Sequence, residues 1–169
     1  MSREDFMDLF IDQLNDAYSA EVQIVKGLPK MIKASSSADL KAGLEQHLKE
    51  TKNQVVRLEK IFKSLGEKIG NETCEAMEGL ITECEQVIQE YPASPIRDAA
   101  IIAGAQKIEH YEIAAYGTLC TFAKELDLDD IQDLLGETLD EEKAADEKLT
   151  GVAEGGLLSA GVNQKALKR

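Results

Sequence analysis

The stretch Ile108-Glu109-His110-Tyr111-Glu112-Ile113 decides how this chain folds and where its chemistry lies. It sits in the middle of a long segment of helical periodicity. There Ile101, Ala105, Ile108, Glu112, Ala115, Leu119, Phe122, Ala123 and Leu126 fall on one face at about 100° per residue. Glu112 therefore occupies the slot of a core leucine, and Glu109, one turn earlier, lies on the edge of the same stripe. An ionised carboxylate in an apolar interior has to be paired, bound to a metal, or neutralised.

Other amphipathic segments repeat the anomaly. The spacing predicts a first helix over about Arg3 to Lys33, in which Glu21 fills the apolar slot between Ala17 and Ile24. Gly27 and Pro29 predict a kink or early stop near its end, and Ser35-Ser36-Ser37 a turn. A second helix is expected from about Asp39 to Leu65, closed by Gly66. His47 and Thr51 lie inside its stripe, and Glu50 on the edge, close in angle to Gln54 and Ile61. A fourth long helix, over about Asp129 to Val152, carries Glu142 near the centre of its stripe and Asp146 one turn later on the edge.

The second and third long helices are separated by some thirty residues. Helix neighbours in a bundle are usually joined by about 2–8, so this segment is a crossover from one end of the molecule to the other. It carries its own amphipathic helix over about Glu72 to Glu90, with Cys74, Met77, Ile81, Cys84 and Ile88 on one side. The expected fold is all-α: a four-helix bundle with a long crossover containing an extra short helix. A single domain spans 1–169, with a core over about 3–152 and a peripheral or frayed tail over 153–169.

Composition agrees. Three prolines, 5% aromatic residues and 43% hydrophobic residues in 169 suit a helical globule. The net charge of −13 argues against nucleic acid and anionic membrane surfaces as partners. No apolar run reaches the roughly 20 residues of a spanning helix, and the N-terminus lacks the layout of a signal peptide; a cytoplasmic location is expected. Cys74, Cys84 and Cys120 read as small hydrophobes in a reducing compartment and are assigned no chemistry.

Each long helix thus brings carboxylates to, or beside, its apolar face. Gathering so many without a cation costs several kcal/mol per ion; a dinuclear centre bridged by carboxylates removes the cost, and oxygen-rich sites suit iron or manganese. At these residues the sequence resembles the ferritin-like superfamily, in which a bundle holds two metals with glutamates and Glu-x-x-His pairs. More closely, the segments Glu45 to Gln54, Lys107 to Leu119 and Glu137 to Ala144 are similar to the bacterial YciF/YciE ferritin-like family, associated with stress responses. The similarity runs from about Phe6 to Leu149.

The resemblance implies two iron or manganese ions, with Glu50 and Glu142 bridging them and Glu21, Glu109 and Glu112 capping. Glu141 is the alternative to Glu142 under a one-residue shift. The histidines depart from the pattern: Glu50 is followed at the third place by Asn53, and Glu142 by Ala145. His47 is open to three readings, a ligand, a hydrogen-bond partner of one, or a core histidine, and Asp146 is a candidate replacement for a missing imidazole. His110 faces away from the stripe. Tyr18 and Tyr116 each lie about one turn from a candidate glutamate, where packing is the ordinary role.

The metal-ligand set expected from the sequence is therefore Glu21, His47, Glu50, Glu109, Glu112, Glu142 and Asp146. The functional expectation is a dimetal protein which, if an enzyme, is a di-iron or di-manganese carboxylate oxidoreductase acting on metal, oxygen or peroxide. The alternative is a structural or interaction protein that keeps the bundle with or without metal. A homodimer is expected, with the Met and Cys stripe of the crossover helix as a candidate dimer surface.

Overall fold

Three serines and a glycine set the ends of the bundle helices. In the computed structural model, which describes residues 2–156 and 159–168, α1 spans Arg3–Ala34 and begins in a capping box. The Ser2 hydroxyl accepts from the Asp5 amide, and the Asp5 carboxylate accepts from the Ser2 amide. Helix α2 (Ala38–Leu65) is capped by Ser37 and ends at Gly66, whose φ of 74° places it in the left-handed region that glycine adopts without a Cβ penalty. Helix α4 (Pro95–Glu125) starts behind Ser94, with Pro95 in the first turn, where its missing N–H costs nothing. Helix α5 covers Asp129–Glu154.

The crossover follows the expected route. The α1–α2 turn is fastened to the start of α4 by the buried Asp98 carboxylate, which accepts from the Ser36 and Ser37 amides at 2.7 Å each. At the other end Arg3 reaches Asp127 at 3.0 Å. Hence α2 and α4 both run away from the turn end, and α1 and α5 run towards it. The chain between Leu65 and Pro95 must return the length of the bundle, and α3 (Glu75–Glu90) makes that journey against α1 and α4.

Three local expectations are corrected. Helix α1 does not stop at Pro29; it continues to Ala34. Tertiary packing holds it there: a Cβ on Gly27 would stand 3.4 Å from Ile81 of α3, and Lys30 pairs with Glu85 of the same helix at 2.5 Å. The segment after α5 is not frayed among its described residues. Gly155–Gly156 pairs with Ser159–Ala160 as antiparallel strands β1 and β2, and α6 (Val162–Leu167) returns Val162 to the core, where it is buried. The stripe of the crossover helix is spent within the chain, because Met77 and Cys84 are buried against the bundle and cannot form a dimer surface. No described helix is long and apolar enough to cross a membrane.

The apolar interior comes in two blocks. Near the turn end Ile24, Leu28, Met31, Leu40, Leu44, Ile101, Ala105, Ile108 and Leu149 pack together with α3 and Val162. Near the other end Phe10, Leu14, Leu58, Phe62, Tyr116, Leu119, Ala123 and Leu135 form the second block. Along every long helix the residues between the blocks are polar: Glu21 on α1, His47, Thr51 and Gln54 on α2, Glu109 and Glu112 on α4, Thr138 and Glu142 on α5. All are buried.

Candidate metal centre

The polar layer converges on one point. His47, Glu109, Glu112 and Glu142 each offer a ligand atom, and these four atoms all lie within 4.8 Å of one another. The His47 Nε2 stands 3.3 Å from Glu109 Oε1 and 3.9 Å from Glu142 Oε2. Glu21, wholly buried, joins from α1 through a carboxyl–carboxyl contact with Glu112. The Tyr116 hydroxyl donates to Glu21 Oε1 at 2.5 Å.

The electrostatics are those of a site short of positive charge. Burial, reinforced by the neighbouring carboxylates, pushes the Glu21, Glu109 and Glu112 carboxyls well above their ordinary range. Burial also raises Glu142 to about 7, less far because the adjoining Glu109 carboxyl and the Gln54 amide favour its charged form. The His47 imidazole is pushed by burial down to about 4 and is neutral at pH 7. A neutral imidazole with both ring nitrogens free of hydrogen bonds is in the form that ligates metals.

Unsatisfied atoms test the fit. Glu21 Oε2, both His47 nitrogens, Glu109 Oε2, both Glu112 oxygens and Glu142 Oε2 are buried without a hydrogen-bond partner. Buried polar atoms are nearly always satisfied, so such a concentration at one point marks a place for a ligand of these atoms. One imidazole and four carboxylates form an oxygen-rich set suited to a divalent iron or manganese ion. The buried His/Glu group could hold a metal ion, and the residues present fit it.

Two of the expected ligands stand apart from the group. Glu50 is half-buried, lines the cavity beside His47 and accepts from Gln46 at 2.8 Å. Asp146 accepts from Gln106 at 3.0 Å and faces His110 at 3.4 Å. The exposed His110 is thus outside the site as expected. Tyr18 bonds Glu59 at 3.3 Å, also outside, whereas Tyr116 takes part through Glu21.

What the sequence reading missed is the support around Glu142. Gln54 donates to both Glu142 Oε1 and, at 2.9 Å, Glu141 Oε2. Arg57 grips Glu141 with two N–H···O bonds of 2.9 and 3.0 Å and also donates to the Thr138 hydroxyl at 2.6 Å. Its fork holds the Glu141 carboxylate below the ordinary range. The signal was in the spacing: His47, Thr51, Gln54 and Leu58 share one face of α2, so Gln54, and not Glu50, occupies the next inward position.

Comparison with known proteins shows the family and the fold. The family model described as a domain of unknown function, DUF892, matches residues 5–167. The chain belongs to the DUF892 family. Protein YciF of Escherichia coli K12 is 46% identical over 154 residues, covering 90% of this chain and 93% of that protein. The crystal structure of the E. coli stress protein YciF superposes with a TM-score of 0.83 at 47% identity, over 86% of this chain and 92% of that one. YcfI of Rhodopseudomonas palustris, described provisionally as a structural protein, reaches 0.85 at 48% identity, over 90% and 96%. A Xanthomonas campestris protein at 20% identity and TM-score 0.67, covering 89% of each chain, shares the fold. DUF892 is thus the family of this chain, and its all-α fold is shared with the YciF and YcfI structures.

Proposed function

We propose that this chain is a ferritin-like dimetal protein that binds two divalent iron or manganese ions. The observation that carries the reading is the set of buried, unpartnered carboxylate and imidazole atoms within 4.8 Å of one another. Four buried carboxylates, Glu21, Glu109, Glu112 and Glu142, carry four negative charges when ionised, and two divalent cations balance them. His47, Glu109 and Glu142 would hold the ion nearer α2, and Glu21 and Glu112 the one nearer α1. When bound, iron or manganese supplies electron exchange with oxygen or peroxide.

The chain's own residues do the rest. Tyr116 fixes one oxygen of Glu21 and leaves the other free. Gln54 fixes one oxygen of Glu142 and does the same. Arg57, through Glu141, keeps Gln54 in place. The apolar blocks on either side exclude water, so protons leaving the carboxyls when cations enter must pass along the α2–α5 side, where His47 and Glu109 line a cavity. By likeness to the E. coli stress protein, the role belongs to a bacterial stress response. A cytoplasmic homodimer is the working state in this reading.

Metal analysis of untagged protein tests it. Two iron or manganese ions per chain, lost in Glu21→Ala and Glu112→Ala, is the expected result; a purified protein that is metal-free and takes up neither ion on titration overturns it. A non-enzymatic structural role has one observation in its favour, the description of YcfI. Peroxide consumption by the metal-loaded protein separates the two: turnover favours the oxidoreductase, and two bound ions with no turnover favour the structural role.

A further inference from the structure

The polar layer is covered on one side of the bundle and open on another. The crossover helix α3 lies over α1 and α4, so closely that a Cβ on Gly27 would stand 3.4 Å from Ile81, and the two apolar blocks close the layer at either end. Between α2 and α5 the described residues leave a cavity of about 460 Å³, and His47 and Glu109 are part of its lining. His47 is 5% exposed and Glu109 2%. Both His47 nitrogens and Glu109 Oε2 lack a hydrogen-bond partner. The cavity therefore joins the surface, where Asp140 and Glu137 are exposed, to atoms of the candidate metal centre.

Charge divides this cavity in two. Lys148 of α5 reaches across to Gly43 of α2, where a Cβ would lie 3.8 Å from its Cε atom. On the turn-end side of that crossing the walls are Leu40, Leu149 and Val152; on the other side they are Glu50, Glu137, Asp140 and Glu141. Three of these carboxylates already hold cations. Arg57 pairs with Glu137 at 3.3 Å and with Glu141 at 2.9 Å, and Lys143 with Asp140 at 3.6 Å. Glu50 has a neutral partner, Gln46 at 2.8 Å, and no cationic one among the described residues. It is half-buried and stands three residues after His47, so the two are neighbours on the same wall.

We propose that Glu50 is the entry site of this cavity for divalent cations, the carboxylate that takes up an incoming ion and passes it to His47 and Glu109. The inference rests on the metal reading above, and adds to it a route and a residue that serves loading without being a resident ligand. A carboxylate at the mouth of a cleft with low-dielectric walls raises the local concentration of cations and their rate of entry. It also offers an oxygen in place of bound water before the ion reaches the buried layer, as hard cations prefer. Lys148 repels the ion from the apolar half, and Arg57 and Lys143 occupy the other carboxylates. Glu50 is left as the one that an ion can engage without displacing a cation.

Stopped-flow mixing of the chelator-stripped full chain with manganese(II) chloride tests it. Quenching of tyrosine fluorescence gives the rate, in a chain with four tyrosines and no tryptophan, and the EPR signal of free manganese gives the number of ions bound at equilibrium. Glu50→Gln is expected to slow uptake about tenfold or more and to leave two ions bound, and Glu50→Asp to keep most of the rate. Glu78→Gln, which removes an exposed carboxylate from α3 on the covered side, is expected to leave the rate unchanged. Added salt should slow the parent more than Glu50→Gln, because it screens the charge at the mouth. A parental rate in Glu50→Gln overturns the proposal and leaves the metal reading standing. Equal slowing in Glu78→Gln overturns it as well, since net charge alone would then set the rate. So does loss of a bound ion in Glu50→Gln, which would make Glu50 a resident ligand. A parent chain that takes up no manganese overturns the metal reading itself, and this inference with it.

Discussion

Glu112 shows how much a single side chain can be worth in opposite directions. Wholly buried with both oxygens unpartnered, it is a liability in the metal-free chain and a ligand in the loaded one. Glu112→Leu is expected to stabilise the chelated protein by about 1–4 kcal/mol, as replacing buried ionic groups by packed hydrophobes does, and to abolish the stabilisation that added manganese gives the parent. Urea melts with and without manganese check both arms. Arg57 is the reverse case, a residue the sequence reading passed over. Arg57→Ala leaves Glu141 and Gln54 without their anchor and is expected to cost about 1–3 kcal/mol, and to weaken metal binding without changing the number of ions bound. A double-mutant cycle with Glu141→Gln measures how much of that cost belongs to the pair.

At the scale of elements, α3 is held close by glycines on its neighbours. A Cβ on Gly104 of α4 would stand 2.4 Å from the Cys84 sulfur of α3. Gly104→Ala is therefore expected to destabilise by about 1–3 kcal/mol through overpacking, and Cys84→Ala to restore part of the loss; thermal melts of the two single variants and the double variant check this. The four long helices and the short crossover helix were legible because their apolar residues recur at 3.6-residue spacing, and the crossover because thirty residues are too many for a hairpin. Pro29 misled because a proline's local cost was weighed without α3, which packs on Gly27 and Lys30 and holds the helix through it. The tail misled because small residues carry no periodicity: only the burial of Val162, a contact distant in sequence, shows that it docks. Glu50 and Gln54 illustrate the limit of angular reasoning at the edge of a stripe, where a turn of tens of degrees decides between solvent and site. Glu21, Glu109, Glu112 and Glu142 lay at or beside the centre of theirs, and all four are buried.

For the whole molecule, the buried carboxyls and His47 make metal-free stability depend on pH in opposite senses. The carboxyls are held above their unfolded value, Glu142 at about 7, so their contribution is fully present below about pH 4.3 and is lost as pH rises through the folded values. The imidazole, pushed down to about 4, contributes above about pH 6.5 and is lost as pH falls towards 4. Four carboxyls oppose one imidazole, so the melting temperature in chelator is expected to rise on acidification from about pH 8 to pH 5. Manganese should flatten that slope, and calorimetric scans in matched buffers check it. The polar layer between two apolar blocks has a further consequence, for cooperativity. Among the described residues the two apolar blocks are separate clusters, so without cations the two ends of the bundle are coupled chiefly through helix backbones. Amide hydrogen exchange in chelator is then expected to show two levels of opening free energy, one for each end, and to merge into one when manganese is bound. The metal centre would serve as a rivet that lets four helices unfold as one unit, whether or not it ever turns over a substrate.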